Sequence, residues 1–290
     1  LIGTLLSPDS KTAQFSFTAV FYVLEDSFGD VATRLVLFFP WPTALAMGCI
    51  AIVLVSLREP SRAWRYVGVG GGLLGLVSSW SRIGFAAFAV AIAAELFLRL
   101  DRLARAGLVA AFFLVLLGLL VAGLDPFERL SDARQTVNAA RSGSSMAREL
   151  IYERSWEGFL ESPLLGHGWI GGSVHRTEDL PIGSHSTVYG LLYTGGALTF
   201  GTFALALGAT LAGTARVAFG PDPTLAGRTA LGLALTLLVF CPYEMLFSFS
   251  LPCLFLFTWI GGALREVEDT LPTNPTDRTA PRCPTRSSAS

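Results

Sequence analysis

One stretch of the chain gathers most of the side chains able to handle polar chemistry. From Ser142 to Gly196 it carries Arg148, Arg154 and Arg176, all three histidines (His167, His175, His185), and the acids Glu149, Glu153, Glu157, Glu161, Glu178 and Asp179. Guanidinium groups match phosphate oxygens bidentately, and an imidazole takes up and releases a proton near neutral pH. A polar stretch between apolar segments has water on it, so chemistry with polar substrates can happen there. Each residue also has an ordinary reading. The charges of RELIYERSWEGFL can be a solvated helix face, and His185, in IGSHSTVYGLLYTGG, can be a hydrogen-bonded residue at a membrane boundary. The histidines show no HxH or HxxxH spacing, which argues against a metal site. PLLGHGWIGG is glycine-rich but follows no strand, so the nucleotide-binding glycine motifs do not apply. Arg82, in SSWSRIGFAAF, either snorkels to an interface beside Trp80 or clamps an anion, because an unpaired arginine within a span costs a few kcal/mol.

The elements that must position these residues are apolar. Of 290 residues, 52% are hydrophobic and only 15% charged, against about 25% charged in a soluble domain. The composition thus predicts a multi-spanning membrane protein. The net charge of -1 offers no basic face for nucleic acid, and the four cysteines lack metal or disulfide-framework spacing. Runs of spanning character cover Leu35 to Leu57, Tyr66 to Trp80, Ile83 to Leu98, Ala106 to Leu124, Thr187 to Gly213, Thr229 to Leu246 and Phe247 to Leu264. Arg58 to Arg65, Arg99 to Arg105, Arg216 to Arg228 and the tail share one side, which the positive-inside rule makes cytoplasmic. The polar loop, Arg34, Arg82 and the CPYEML turn then face outward.

The expected organisation is 1–124 with four spans, 125–184 as an extracytoplasmic loop, 185–264 with three spans, and a disordered tail over 265–290. Because residue 1 is leucine, additional spans are expected upstream. In the loop, RELIYERSWEGFL is expected to be an amphipathic helix lining one face with Ile151, Tyr152, Ser155, Phe159 and Leu160.

Four signatures, in order, resemble the O-antigen ligase and O-antigen polymerase superfamily. TRLVLFFPWPTALA looks like the family's arginine, Pro-Asn and small-residue span, with Thr43 in place of the asparagine. SRIGFAAF matches its Ser-Arg-small motif and gives Arg82. ARELIYERSWEGFLESPLLGHGW resembles the stretch with an arginine, an aromatic four residues on and a Pro-x-x-Gly-x-Gly ending, giving Arg148, Tyr152, Pro163, Gly166 and Gly168. SHSTVYGLLYTGG resembles the His-Asn motif before a span, giving His185 and Gly195, with Ser186 for the asparagine and Tyr193 where a glutamate is frequent.

The resemblance covers roughly Arg34 to Gly201. It implies an all-α, polytopic transmembrane helical bundle (GT-C-like) with one long extracytoplasmic loop containing short helices. It also implies a metal-independent glycosyltransferase without cofactor, in the bacterial plasma membrane and active on its extracytoplasmic face. Its partners would be a polyprenyl-diphosphate-linked glycan donor, a glycan or lipid A-core acceptor and the lipid bilayer, with no nucleic acid. Catalytic roles carry over to Arg82, Arg148 and His185; Arg34, Arg154, Tyr152, Gly166 and Gly168 are expected to contact substrate. Two rival classes share the pattern: a transporter or flippase of a lipid-linked glycan, and a non-catalytic membrane scaffold. Neither would need His185.

Overall fold

The computed structural model describes residues 21–25, 31–35, 37, 39, 41–121, 142–172, 181–220, 224–246, 256–262 and 264–265. Helices dominate. They are α1 (Pro42–Ser56), α2 (Arg62–Ser79), α3 (Arg82–Arg99), α4 (Arg102–Val121), α5 (Ser142–Glu161), α6 (Thr187–Ala218) and α7 (Leu225–Phe240), preceded by strands β1 (Phe21–Glu25) and β2 (Val31–Leu35). The antiparallel β1–β2 hairpin pairs Phe21 with Leu35 and Tyr22 with Arg34. It departs from a purely helical expectation. FYVLE and VATRL are short and rich in β-branched and aromatic residues, a composition that favours strand.

The first span expected, Leu35 to Leu57, is corrected to a 15-residue helix beginning at Pro42. Proline is tolerated in the first turn but forbids a helix running through Pro40 and Pro42 from upstream. At 1.5 Å per residue α1 is only about 22 Å long. The span expected over Thr229 to Leu246 likewise becomes α7, 16 residues ending at Phe240. Pro242, just beyond, has no amide to continue the helical ladder, and the CPYEML turn follows. The loop helix is longer than expected, 20 residues in α5.

Four helices share one core. Leu45, Met47 and Ile50 of α1 pack with Leu76 of α2, Ala87 and Ala91 of α3, and Leu233, Leu237 and Phe240 of α7. Small residues let the backbones approach, as in membrane helix pairs. A Cβ at Gly72 would meet Val53 Cγ2 at 2.6 Å, one at Gly75 would meet Cys49 Sγ at 2.5 Å, and one at Gly84 would meet Ala46 Cβ at 2.6 Å. α6 packs on α7 and α5, whereas α4 stands almost clear of the other described elements. Its Leu103, Leu114 and Val121 are 84%, 67% and 80% exposed.

Among the described residues, two helices are long and apolar enough to cross a membrane: α4 over Arg102–Leu119 and α6 over Thr187–Ala218. α1 and α7 are apolar but shorter. The polar-loop residues 125–141 and 173–180, with His175, Arg176, Glu178 and Asp179, and the expected tail 266–290 lie outside the described residues.

The helices have two chemically distinct ends. At one, the first turns of α1 and α3 touch through Ala46 and Gly84, and the CPYEML turn reaches the start of α6. At the other, Leu98 of α3 packs with Ala218 of α6 and Leu231 of α7.

Candidate active site

Glu244 ties the first end together. It is 2% exposed in the turn after α7. Its carbonyl accepts from the Thr187 amide at 3.0 Å and from the Thr187 hydroxyl at 2.7 Å, which seats the start of α6. Its carboxyl accepts from the side chains of Thr43, Arg148 and Trp41. The Arg148 Nη2 to Oε1 distance is 3.3 Å, and Arg148 Nη1 also approaches the Tyr243 carbonyl at 3.5 Å. Burial pushes the Glu244 carboxyl above its usual range; the Arg148 guanidinium and the three hydrogen bonds oppose that shift. A buried acid needs such partners, because one left unpaired costs several kcal/mol. One residue thus joins α1, α5, α6 and α7. Arg148 itself is 36% exposed, so part of its guanidinium still faces outward.

His185 lies beside this pair in a left-handed backbone conformation, φ 61°. For a non-glycine residue that costs roughly 1–3 kcal/mol and must be held by its surroundings. The Tyr152 hydroxyl donates to the His185 carbonyl at 3.0 Å, and the Tyr152 ring stacks on Tyr189 at 4.8 Å. The Ser186 hydroxyl then caps α6 by accepting from the Tyr189 amide at 3.3 Å, a role asparagine also fills well. Burial, and secondarily the charge of Arg148, lower the His185 imidazole to about 4. The ring is therefore neutral at physiological pH. Burial pushes the Tyr152 phenol up to about 12, so it stays a donor.

The Pro-x-x-Gly-x-Gly ending has a clear packing role. α6 breaks at Gly196 (φ 64°, ψ -168°), and the turn after α5 supplies the missing partners. His167 and Gly168 amides donate to the Tyr193 and Thr194 carbonyls at 2.9 and 2.7 Å, while Ala197 and Leu198 amides donate to Pro163 and Leu164 carbonyls at 2.8 and 3.3 Å. Backbone meets backbone here: a Cβ at Gly166 would lie 2.5 Å from Thr194 C, and one at Gly196 would collide with Leu164. The His167 ring sits on Tyr193 at 4.6 Å and bonds the Gly158 carbonyl at 2.8 Å, so its described contacts are internal.

The other expected residues fall as follows. Arg82 opens α3 at the same end, next to Ser81, whose hydroxyl caps the helix on the Gly84 amide at 3.1 Å. Arg34 lies on β2 opposite Tyr22. Arg154 pairs with Glu157 at 2.8 Å, both about half exposed. Among the described side chains of α5 the buried positions are Ile151, Ser155 and Gly158, and the expected inward place of Leu160 is corrected, since it is 60% exposed. Glu244, Trp41 and the Tyr243 carbonyl were not foreseen. The available signal was a lone acid between two apolar runs, which marks function by default in a membrane protein.

At one end of apolar helices the structure thus brings together an arginine braced on a buried carboxyl group and a neutral histidine. Residues 67–207 match the family model described as Wzy_C, O-antigen ligase. That segment belongs to the O-antigen ligase and polymerase superfamily, a membrane-associated family of glycan-joining enzymes. It contains Arg82, Arg148 and His185, while Thr43 and Glu244 lie outside it. No curated protein matches the chain.

Proposed function

We propose that this protein is a glycosyltransferase that moves a glycan from a polyprenyl-diphosphate donor to an acceptor hydroxyl. The site would lie on the extracytoplasmic face of the bacterial plasma membrane, with the chain crossing several times. The observation that carries this reading is a partly exposed arginine held beside a neutral, half-buried histidine, in a segment of the glycan ligase family.

In the proposed step the His185 ring nitrogen takes the proton of the acceptor hydroxyl. The acceptor oxygen bonds to the anomeric carbon, and the bond from that carbon to the diphosphate oxygen breaks. The electron pair leaves with the diphosphate, and Arg82 and Arg148 balance its charge without a metal ion. A donor diphosphate on Arg148 would also offset the charge that helps hold the imidazole down, making His185 a stronger base once donor is bound. Tyr152, Arg34 and Arg154 are second-tier candidates for glycan or phosphate contact. Gly166 and Gly168 would act on substrate through the turn they shape.

The test uses membrane vesicles holding the full chain and a polyprenyl-diphosphate-linked glycan. Transfer that His185→Ala abolishes supports the enzyme. Glycan on lipid A-core would name a ligase, and a lengthening ladder on polyprenyl a polymerase. Glycan that crosses the membrane unjoined, in wild type and variant alike, would replace this reading with a transporter.

A further inference from the structure

We infer that Glu244 is a positioning residue for Arg148, the post against which the diphosphate-binding guanidinium is set. The inference rests on the transferase reading above. Arg148 projects from α5, which packs on α6, and a long arginine there has many rotamers available. Glu244 removes that freedom. Its carboxyl is fixed from one side by Thr43 and Trp41 and engages Arg148 from the other, while its carbonyl is fixed by Thr187 at 2.7 and 3.0 Å. The Leu246 amide closes the turn by donating to the Thr187 hydroxyl at 2.9 Å.

This arrangement leaves a division of labour within one guanidinium. Nη2 faces Glu244 and Nη1 faces the Tyr243 carbonyl, so the remaining N–H directions are available to an incoming oxyanion. The same contact binds the CPYEML turn to the active end, giving a turn outside the matched segment a role in the reaction. Thr43 and Trp41 are the next residues back from the reaction: they hold Glu244, which holds Arg148.

The expected effects follow from geometry and charge. Glu244→Ala frees Arg148, and transfer efficiency falls about 10- to 100-fold, the scale of a misplaced catalytic group. Glu244→Gln keeps an oxygen for Thr43, Trp41 and Arg148 but removes the charge. Its kcat falls while its KM for donor stays level or drops, because a carboxylate near the diphosphate has gone. A merely structural role would not produce that split. In the Arg148→Ala background, adding Glu244→Ala costs nothing further.

The experiment measures donor-dependent transfer in vesicles for wild type, the three single variants and the double variant, with thermal unfolding of each. If Glu244→Ala does not fold, Glu244→Gln carries the test through its kcat and KM. Losses that add in the double variant, or a Glu244→Gln enzyme with wild-type kcat, overturn the positioning role while leaving Arg148 in place. An Arg148→Ala enzyme that transfers normally overturns the clamp itself, and the positioning role falls with it.

Discussion

Arginine serves at both ends of this helical protein, and its surroundings differ sharply between them. At one end Arg148 meets a carboxyl that is 2% exposed, with Thr43 and Trp41 completing the shell. At the other, Arg65 donates to the Glu59 carbonyl at 2.6 and 2.8 Å, and Arg105 donates to the Leu100 carbonyl at 2.9 Å and lies over Phe219 at 5.8 Å. Arg58 lies over Trp259 at 5.7 Å, and Arg99, half exposed, pairs with Glu95 at 3.0 Å. The second set anchors helix ends to aromatic rings and local carbonyls, as at a membrane boundary. The first holds a guanidinium fixed by distant chain segments yet still open on one side. Arg148 meets its acid across 96 residues of chain, whereas Arg99 meets its acid four residues away on the same helix.

Several changes break or sharpen this contrast. The largest effect belongs to His185→Ala, expected to lower transfer by about 10²–10⁴-fold without unfolding the protein; transfer rates and thermal unfolding in parallel check it. The pH profile comes next. Because the His185 imidazole is lowered to about 4, its neutral form persists as pH falls, and kcat/KM should hold level from pH 8 to about 5 and drop only below that. A midpoint near the ordinary histidine value of about 6.5 would show that burial and Arg148 do not govern the ring.

Gly196→Ala should destabilise by roughly 1–3 kcal/mol, since it combines positive φ with contact against the Leu164 backbone. Gly201→Ala, where a Cβ meets nothing within 4 Å, should not lower the melting temperature. The smallest effect on transfer is that of Arg99→Ala, unchanged within about twofold in the same assay; because its partner Glu95 is only 5% exposed, leaving that acid unpaired should cost about 1–3 kcal/mol in thermal unfolding.

Much of this was legible in the sequence because apolar runs report helices directly. α2, α3, α4 and α6 fall close to the runs seen in the residues. Arg148 and His185 stood out as polar side chains in a polar stretch, and the structure places both at one end. What stayed hidden depended on partners far along the chain. Glu244 meets Arg148 across 96 residues, and no local pattern announces such a pairing. The shortening of α1 was signalled by Pro40 and Pro42, but a run long enough to cross a membrane outweighed them. Gly166 read as a loop residue at a substrate; its close approach to Thr194 is a tertiary fact that only the break in α6 explains.

The most direct test sets one arginine from each end side by side. Arg148→Ala and Arg105→Ala would be compared with wild type in the same vesicles, at matched protein amounts, for transfer from a polyprenyl-diphosphate-linked glycan. Loss of about 10²-fold or more for Arg148→Ala, with near-normal transfer for Arg105→Ala, is the predicted result. Equal losses, or normal transfer in both, would contradict the assignment of the reaction to the Arg148 end.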